Sequence, residues 1–194
     1  MNSFVIADPG LCIGCHTCEV ACVSAHSADN MFLQQEENPD FYPRLRVMET
    51  DQVTAPVQCR QCEDAPCANV CPNGSITNIG SSISINQDTC IGCKTCMLVC
   101  PFGAIAMVPE FRGGQKQVQP GLRSNTNGVW ARKERLVASK CDLCEESGNG
   151  PACVQICPTH ALQLVVPDDV TMDTAAKRAA SAQTLQQFGG LIRF

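Results

Sequence analysis

The chain has 194 residues, with 14 lysines and arginines against 19 aspartates and glutamates, for a formal charge of −5. Aromatic residues are few (one Trp, one Tyr, seven Phe), whereas sixteen cysteines, 14 glycines and 12 prolines are present. This composition excludes a large aliphatic core, a basic surface for nucleic acid and an apolar run of bilayer length, so the cysteines must carry much of the fold.

Along the chain, MNSFVIADPG lacks the basic and apolar regions of an export signal. A reducing, cytoplasmic compartment is therefore expected. Phe4-Val5-Ile6 reads as a short strand leading into Cys12, Cys15, Cys18 and Cys22. A helix is expected after the third cysteine, and because Val23 follows the fourth, it can run through Ala25 toward Ala28. Residues 29–48 form a polar insertion containing Tyr42-Pro43. Val53 to Gln58 leads into Cys59, Cys62, Cys67 and Cys71, and Ser75-Ile76-Thr77 returns. Asn78-Ile79-Gly80 is a hairpin turn, and the alternation in Ile83-Ser84-Ile85 suits a half-buried strand.

The third group is Cys90, Cys93, Cys96 and Cys100, with a short helix through Met97-Leu98-Val99 and a return over Ala104 to Val108. Residues 109–135, rich in Gly, Gln and Asn, form a second insertion expected to contain surface loop. Leu136-Val137-Ala138 leads into Cys141, Cys144, Cys153 and Cys157, and Ala161 to Val166 returns. Pro72, Pro101 and Pro158 stop the helices of the last three groups, because proline opposes helical backbone in the residue before it. Beyond Pro167, Asp168, Asp169 and Thr171 start a helix that runs through Gln187 and ends at Gly189-Gly190. Its weak apolar side, Met172, Leu185 and Phe188, suits either packing on its own domain or a docking arm ending in Leu191-Ile192-Arg193-Phe194.

The third group reads C-x2-C-x2-C-x3-C-P, the bacterial ferredoxin run for a [4Fe–4S] cluster. Disulfides fit neither the expected compartment nor several thiols crowded on one tight loop. Zinc ribbons use two separated pairs, whereas three cysteines crowd one loop in groups one and three. In two-cluster ferredoxins the fourth cysteine of each run binds the other cluster. Groups two and three are close enough to form one such pair, which leaves groups one and four as the other. The expected ligand sets are Cys12, Cys15, Cys18 and Cys157 (centre 1), and Cys141, Cys144, Cys153 and Cys22 (centre 2). Centre 3 takes Cys59, Cys62, Cys67 and Cys100, and centre 4 takes Cys90, Cys93, Cys96 and Cys71.

With every iron capped by thiolate, no open site remains for substrate. The chain also has no phosphate loop, nucleotide fingerprint or nucleophile–base pair. An electron carrier is expected, not an enzyme. Lys94, Arg60 and Lys140, each beside a ligand, are candidates for tuning reduction potential, against a reading as solvated surface charges. His16 is a candidate substitute ligand, while His26 and His160 read as helix-face and turn residues. Trp130 is either an interface anchor or part of the local packing of its loop.

At this level the chain resembles a known family. Met1-Asn2-Ser3-Phe4-Val5-Ile6-Ala7-Asp8, Cys12-Ile13-Gly14-Cys15-His16-Thr17-Cys18 and Pro43-Arg44-Leu45-Arg46-Val47 carry the likeness. So do Cys59-Arg60-Gln61-Cys62-Glu63-Asp64-Ala65-Pro66-Cys67, Lys140-Cys141-Asp142-Leu143-Cys144 and Gly150-Pro151-Ala152-Cys153. It is similar over almost its whole length to the four-cluster ferredoxin-like subunits of formate hydrogenlyase-type and hydrogen-dependent CO2 reductase complexes. Their superfamily includes the iron–sulfur subunits of molybdopterin oxidoreductases. The resemblance implies the same pairing of groups and a place beside a formate dehydrogenase or a hydrogenase.

The expected protein is α+β, with one ferredoxin-like module nested in another. Residues 1–28 with 136–167 form the outer module and 49–108 the inserted one; 29–48 and 109–135 are insertions, and 168–194 are helix and tail. The expected function is relay of single electrons through four [4Fe–4S] clusters between a formate dehydrogenase (CO2 reductase) and a hydrogenase subunit. The alternatives are a free soluble polyferredoxin or a cluster-based sensing or binding module.

Overall fold

A strand, a cysteine loop, a short helix and a return strand recur four times along the chain. The computed structural model describes residues 1–27, 41–80, 82–112, 115–126 and 128–189. Group one lies in β1 (Phe4–Ala7), α1 (Thr17–His26) and β2 (Leu45–Glu49), and group two in β3 (Thr54–Gln58), α2 (Pro66–Asn69) and β4 (Ile76–Ile79). Group three lies in β5 (Ser82–Ile85), α3 (Thr95–Val99) and β6 (Ala106–Pro109). Between groups three and four come β7 (Phe111–Arg112), β8 (Gln115–Lys116), β9 (Val118–Thr126) and β10 (Val129–Glu134). Group four occupies β11 (Leu136–Ser139), α4 (Ala152–Ile156) and β12 (Leu162–Val165), and α5 (Pro167–Gly189) follows. The fold is α+β.

The prolines act as the sequence predicts. Cys100 and Cys157 are extended, with ψ of 114° and 113°, because Pro101 and Pro158 exclude helical backbone before them. With Val23 in the corresponding place, α1 continues one turn past Cys22 to His26.

Every return strand pairs antiparallel with the leading strand of the next group. β2 pairs with β3, β4 with β5 and β6 with β11, and β12 comes back to β1 with Phe4 opposite Val165. This cycle joins the repeats into one body. The helices pack differently, α1 on α4 and α2 on α3. Two apolar cores follow. One gathers Val5, Leu45, Leu143 and Leu162 around Cys18, Cys22, Cys59, Cys141 and Cys153. The other gathers Ile76, Ile83, Ile105 and Val137 around Cys67, Cys90 and Cys96.

Two expectations need correction. Leu45–Glu49 is not insertion but the return strand of group one; its alternating Leu45-Arg46-Val47 buries Leu45 in the first core. Asn78 and Ile79 belong to β4, and the hairpin connection begins at Gly80. Residues 109–135 contain strands, and β9 pairs with β10 from Trp130–Asn125 to Arg132–Arg123. Its strand residues are exposed, so its ladder rests on backbone pairing and leaves no apolar alternation to read. The helix α5 is exposed at nearly all described positions, which excludes the reading of a helix packed along its length. Residues 29–40 of the insertion, Ala28 and the Gly190 to Phe194 terminus lie outside the described residues.

Candidate metal centres

The cysteine loops share one backbone feature. The residue before the second cysteine is left-handed in every group: Gly14 (φ 67°), Gln61 (50°), Gly92 (68°) and Leu143 (62°). Left-handed residues amid right-handed ones turn successive N–H groups inward and form an anion-binding concavity. The Gln61 N–H accordingly donates to Cys59 Sγ at 3.4 Å. In groups one and three the residue after the second cysteine, His16 or Lys94, is also left-handed and starts the helix. The next residue is a threonine whose hydroxyl donates to the sulfur, Thr17 to Cys15 at 3.3 Å and Thr95 to Cys93 at 3.5 Å. These hydroxyl bonds, with help from the threonine N–H groups, hold both thiols below their ordinary pKa.

Three cavities each have four cysteines in their walls. Cys12, Cys15, Cys18 and Cys157 line the first with Ile13, Val47 and Leu162. Cys71, Cys90, Cys93 and Cys96 line the second with Ile76, Ile91 and Met107. Cys59, Cys62, Cys67 and Cys100 line the third with Ile83, Phe102 and Ile105. Each cavity therefore takes three cysteines from one group and the fourth from its partner group.

The remaining cysteines, Cys22, Cys141 and Cys144, all lie near Cys153. Burial, then the charges of Cys141, Cys22 and Cys144, pushes the Cys153 thiol far up. Burial also pushes Cys141 up to about 12 and Cys18 up to about 11. Such thiols stay protonated at neutral pH unless a metal replaces the proton, so metal loading must release protons. Soft thiolate sets on apolar walls suit iron–sulfur ligation. None of the sixteen cysteines is in a disulfide.

Charged residues surround the fourth set. His26 sits one turn beyond Cys22, donating from Nδ1 to the Cys22 carbonyl at 2.8 Å and from Nε2 to Asp142 Oδ1 at 2.9 Å. Two acceptors require both ring nitrogens to be protonated. Burial opposes that charge, but the Asp142, Cys144 and Cys22 hydrogen bonds outweigh it and lift His26 to about 12. Asp142 falls well below the carboxylate range: burial opposes its charge, but the His26 bond and Arg44 prevail. Arg44 also pairs directly with Asp142, and its N–H donates to Cys22 Sγ at 3.3 Å. This network went unread in the sequence, although the four-residue spacing of Cys22 and His26 on one helix was a usable signal.

The tuning candidates separate by burial. Lys94 is exposed, Arg60 is half-buried with Nη1 on the Val5 carbonyl, and Lys140 is only 3% exposed. Lys140 Nζ donates to the carbonyls of Cys141 and Ile83 and to Gln61 Oε1. Gln61 is also buried and was not singled out from sequence. His16 gives its two ring nitrogens to Glu19 (3.1 Å) and Glu49 (3.3 Å), which occupies them away from any metal. His160 lies in the turn after Cys157, and His160 N–H donates to the Cys157 carbonyl. Trp130 is 64% exposed on β10, which removes the reading of local packing.

A 4Fe-4S binding domain model matches residues 83–106, which run from β5 through group three into β6. Electron transport protein HydN of Escherichia coli K12 is 43% identical over 182 residues, covering 94% of this chain and 98% of its own length. Formate hydrogenlyase subunit 2 of the same strain is 41% identical, over 100% of this chain and 96% of its own. The chain belongs to this family of iron–sulfur electron-transfer proteins. Hydrogenase-4 component A, another family member from that strain, is 38% identical over 94% of this chain and 91% of its own length. Among the described residues, no helix is long and apolar enough to cross a membrane.

Proposed function

We propose that each cysteine quartet holds one [4Fe–4S] cluster and that the chain relays single electrons between a formate dehydrogenase and a hydrogenase subunit. The carrying observation is the three cavities, each lined by three cysteines of one group and one of its partner. The proximity of Cys22 to Cys141 and Cys153 supports the same arrangement for centre 2. A [4Fe–4S] cluster supplies a one-electron store at each site. The protein's part is to cap the iron with thiolate, exclude water and set the spacing and field. It does no bond-making chemistry of its own.

The proximity of cysteines across centres supports a linear order. Cys153 of centre 2 lies near enough to Cys18 of centre 1 for the latter's charge to raise its pKa. The same holds for Cys141 of centre 2 with Cys59 of centre 3, and for Cys96 of centre 4 with Cys67 of centre 3. The order is then 1, 2, 3, 4. Its ends carry the two exposed cysteines, Cys15 and Cys93, where partner subunits would exchange electrons. The helix pairs α1–α4 and α2–α3, each over its own core, support an outer and an inserted ferredoxin-like module. The relatives' names, formate hydrogenlyase subunit 2 and hydrogenase-4 component A, support partners of this kind.

Native purification with metal analysis and redox-titrated EPR tests this reading. The expected result is co-purification with a formate dehydrogenase or hydrogenase subunit and about sixteen irons, four per cluster. Zinc, or an iron-free quartet, would overturn the four-cluster assignment. Recovery of the iron-loaded chain always alone would favour a free polyferredoxin.

A further inference from the structure

We propose that Lys140 is a permanent buried cation that raises the reduction potentials of the two central centres, 2 and 3. This rests on the four-cluster reading and adds to it the residue that sets the field at the middle of the chain.

Lys140 precedes Cys141 of centre 2, and its ammonium turns inward beneath β5. Its three acceptors are the Cys141 carbonyl at 2.9 Å, Gln61 Oε1 at 3.3 Å and the Ile83 carbonyl. Three acceptors match the three N–H donors of an ammonium; a neutral amine has only two. All three are uncharged, and among the described residues Lys140 is in no salt bridge. A buried charge without a counter-ion is costly, and in a low-dielectric interior its field reaches far.

Gln61 carries the arrangement across to centre 3. Its backbone N–H is on Cys59 Sγ, its Nε2 donates to the Cys141 carbonyl at 2.9 Å, and its Oε1 also accepts the Ile83 N–H at 2.9 Å. Lys140 and Gln61 thus stand between a ligand of centre 2 and a ligand of centre 3.

A cluster held by four thiolates is anionic and gains another negative charge on reduction. A fixed cation nearby stabilises the reduced form more than the oxidised one. Lys94, exposed at the far end, is screened by solvent and does not do this. The His26, Asp142 and Arg44 charges lie beside centre 2, whereas Lys140 stands between centres 2 and 3 and acts on both.

The test uses the full chain with its partner subunits, comparing wild type, Lys140→Met and Lys140→Arg by iron content and redox-titrated EPR. In Lys140→Met, two of the four midpoint potentials should fall by at least about 59 mV, a tenfold loss in the reduced-to-oxidised ratio at fixed potential. The other two should stay in place, and Lys140→Arg should keep all four. If Lys140→Met loses iron, Gln61→Glu keeps the lysine but sets an anion against it, and should lower the same two potentials. Unchanged potentials in a fully loaded variant would overturn the proposal. Loss of iron from both Lys140→Met and Gln61→Glu would also overturn it, by making the cation structural. A wild-type chain with fewer than four clusters would instead overturn the cluster assignment beneath it.

Discussion

At the scale of single residues, the cysteine loops depend on left-handed backbone as much as on sulfur. Glycine fills that position in groups one and three, while Gln61 and Leu143 accept its strain in the other two. Gly92 shows why a side chain is not always tolerated. A Cβ there would overlap the Leu136 carbonyl oxygen on β11, in addition to the cost of a φ of 68°. Gly103 has a similar φ of 59° but open space around it. Gly103→Ala should therefore cost about 1–2 kcal/mol from conformation alone, and Gly92→Ala clearly more. Heating both variants while following cluster absorbance checks this: the Gly92→Ala midpoint should fall further, and equal midpoints would refute the steric argument. The glycine before Cys15 and Cys93 is a usable sign of this turn in groups one and three, which the sequence reading did not draw on. Gln61 and Leu143 gave no such sign, because their conformation is imposed by the folded loop.

At the scale of elements, the proposed ligand sets have one helix serve two centres. Cys18 and Cys22 are four residues apart on α1, about 6 Å along the axis, and their sulfurs face different groups. Cys18 joins Cys12, Cys15 and Cys157 around one cavity. Cys22 lies instead with Cys141 and Cys153. Cys22→Ser should then remove or convert the EPR signal of centre 2 and leave centre 1 present, with iron analysis falling by no more than one cluster. Loss of centre 1 alone would reject the exchange of fourth ligands. The helix ends were legible because proline acts locally on the residue before it. The strand β2 was not, because its partner β3 and its core neighbour Val5 are supplied by tertiary contact. The hairpin β9–β10 was hidden for another reason: its faces are both polar or exposed, so burial left no period in its sequence.

At the scale of the whole molecule, cysteines replace aliphatic bulk. They make up five of the nine buried residues in the first core and three of nine in the second. Without metal these thiols would be neutral, small and held on loops with little else to fix them. Anaerobic iron chelation should therefore abolish most of the far-UV circular dichroism of the strands and expose the loops to protease. A metal-free chain with a cooperative thermal transition close to that of the loaded form would show that the aliphatic contacts suffice. The cyclic strand pairing supplies the other half of the cohesion. Two of its strand pairs, β4–β5 and β12–β1, lie within a helix pair, and the other two, β2–β3 and β6–β11, tie the pairs together.

The sequence by itself determined the donor chemistry, because thiolates at two- and three-residue spacing leave few metals and few geometries open. It also determined where α3 and α4 stop. Only the tertiary structure decided which strands close the cycle, and that Lys140, rather than Lys94 or Arg60, is withdrawn from water. Those features depend on distant segments meeting. Spacing along a chain cannot encode the burial or field that such a meeting creates.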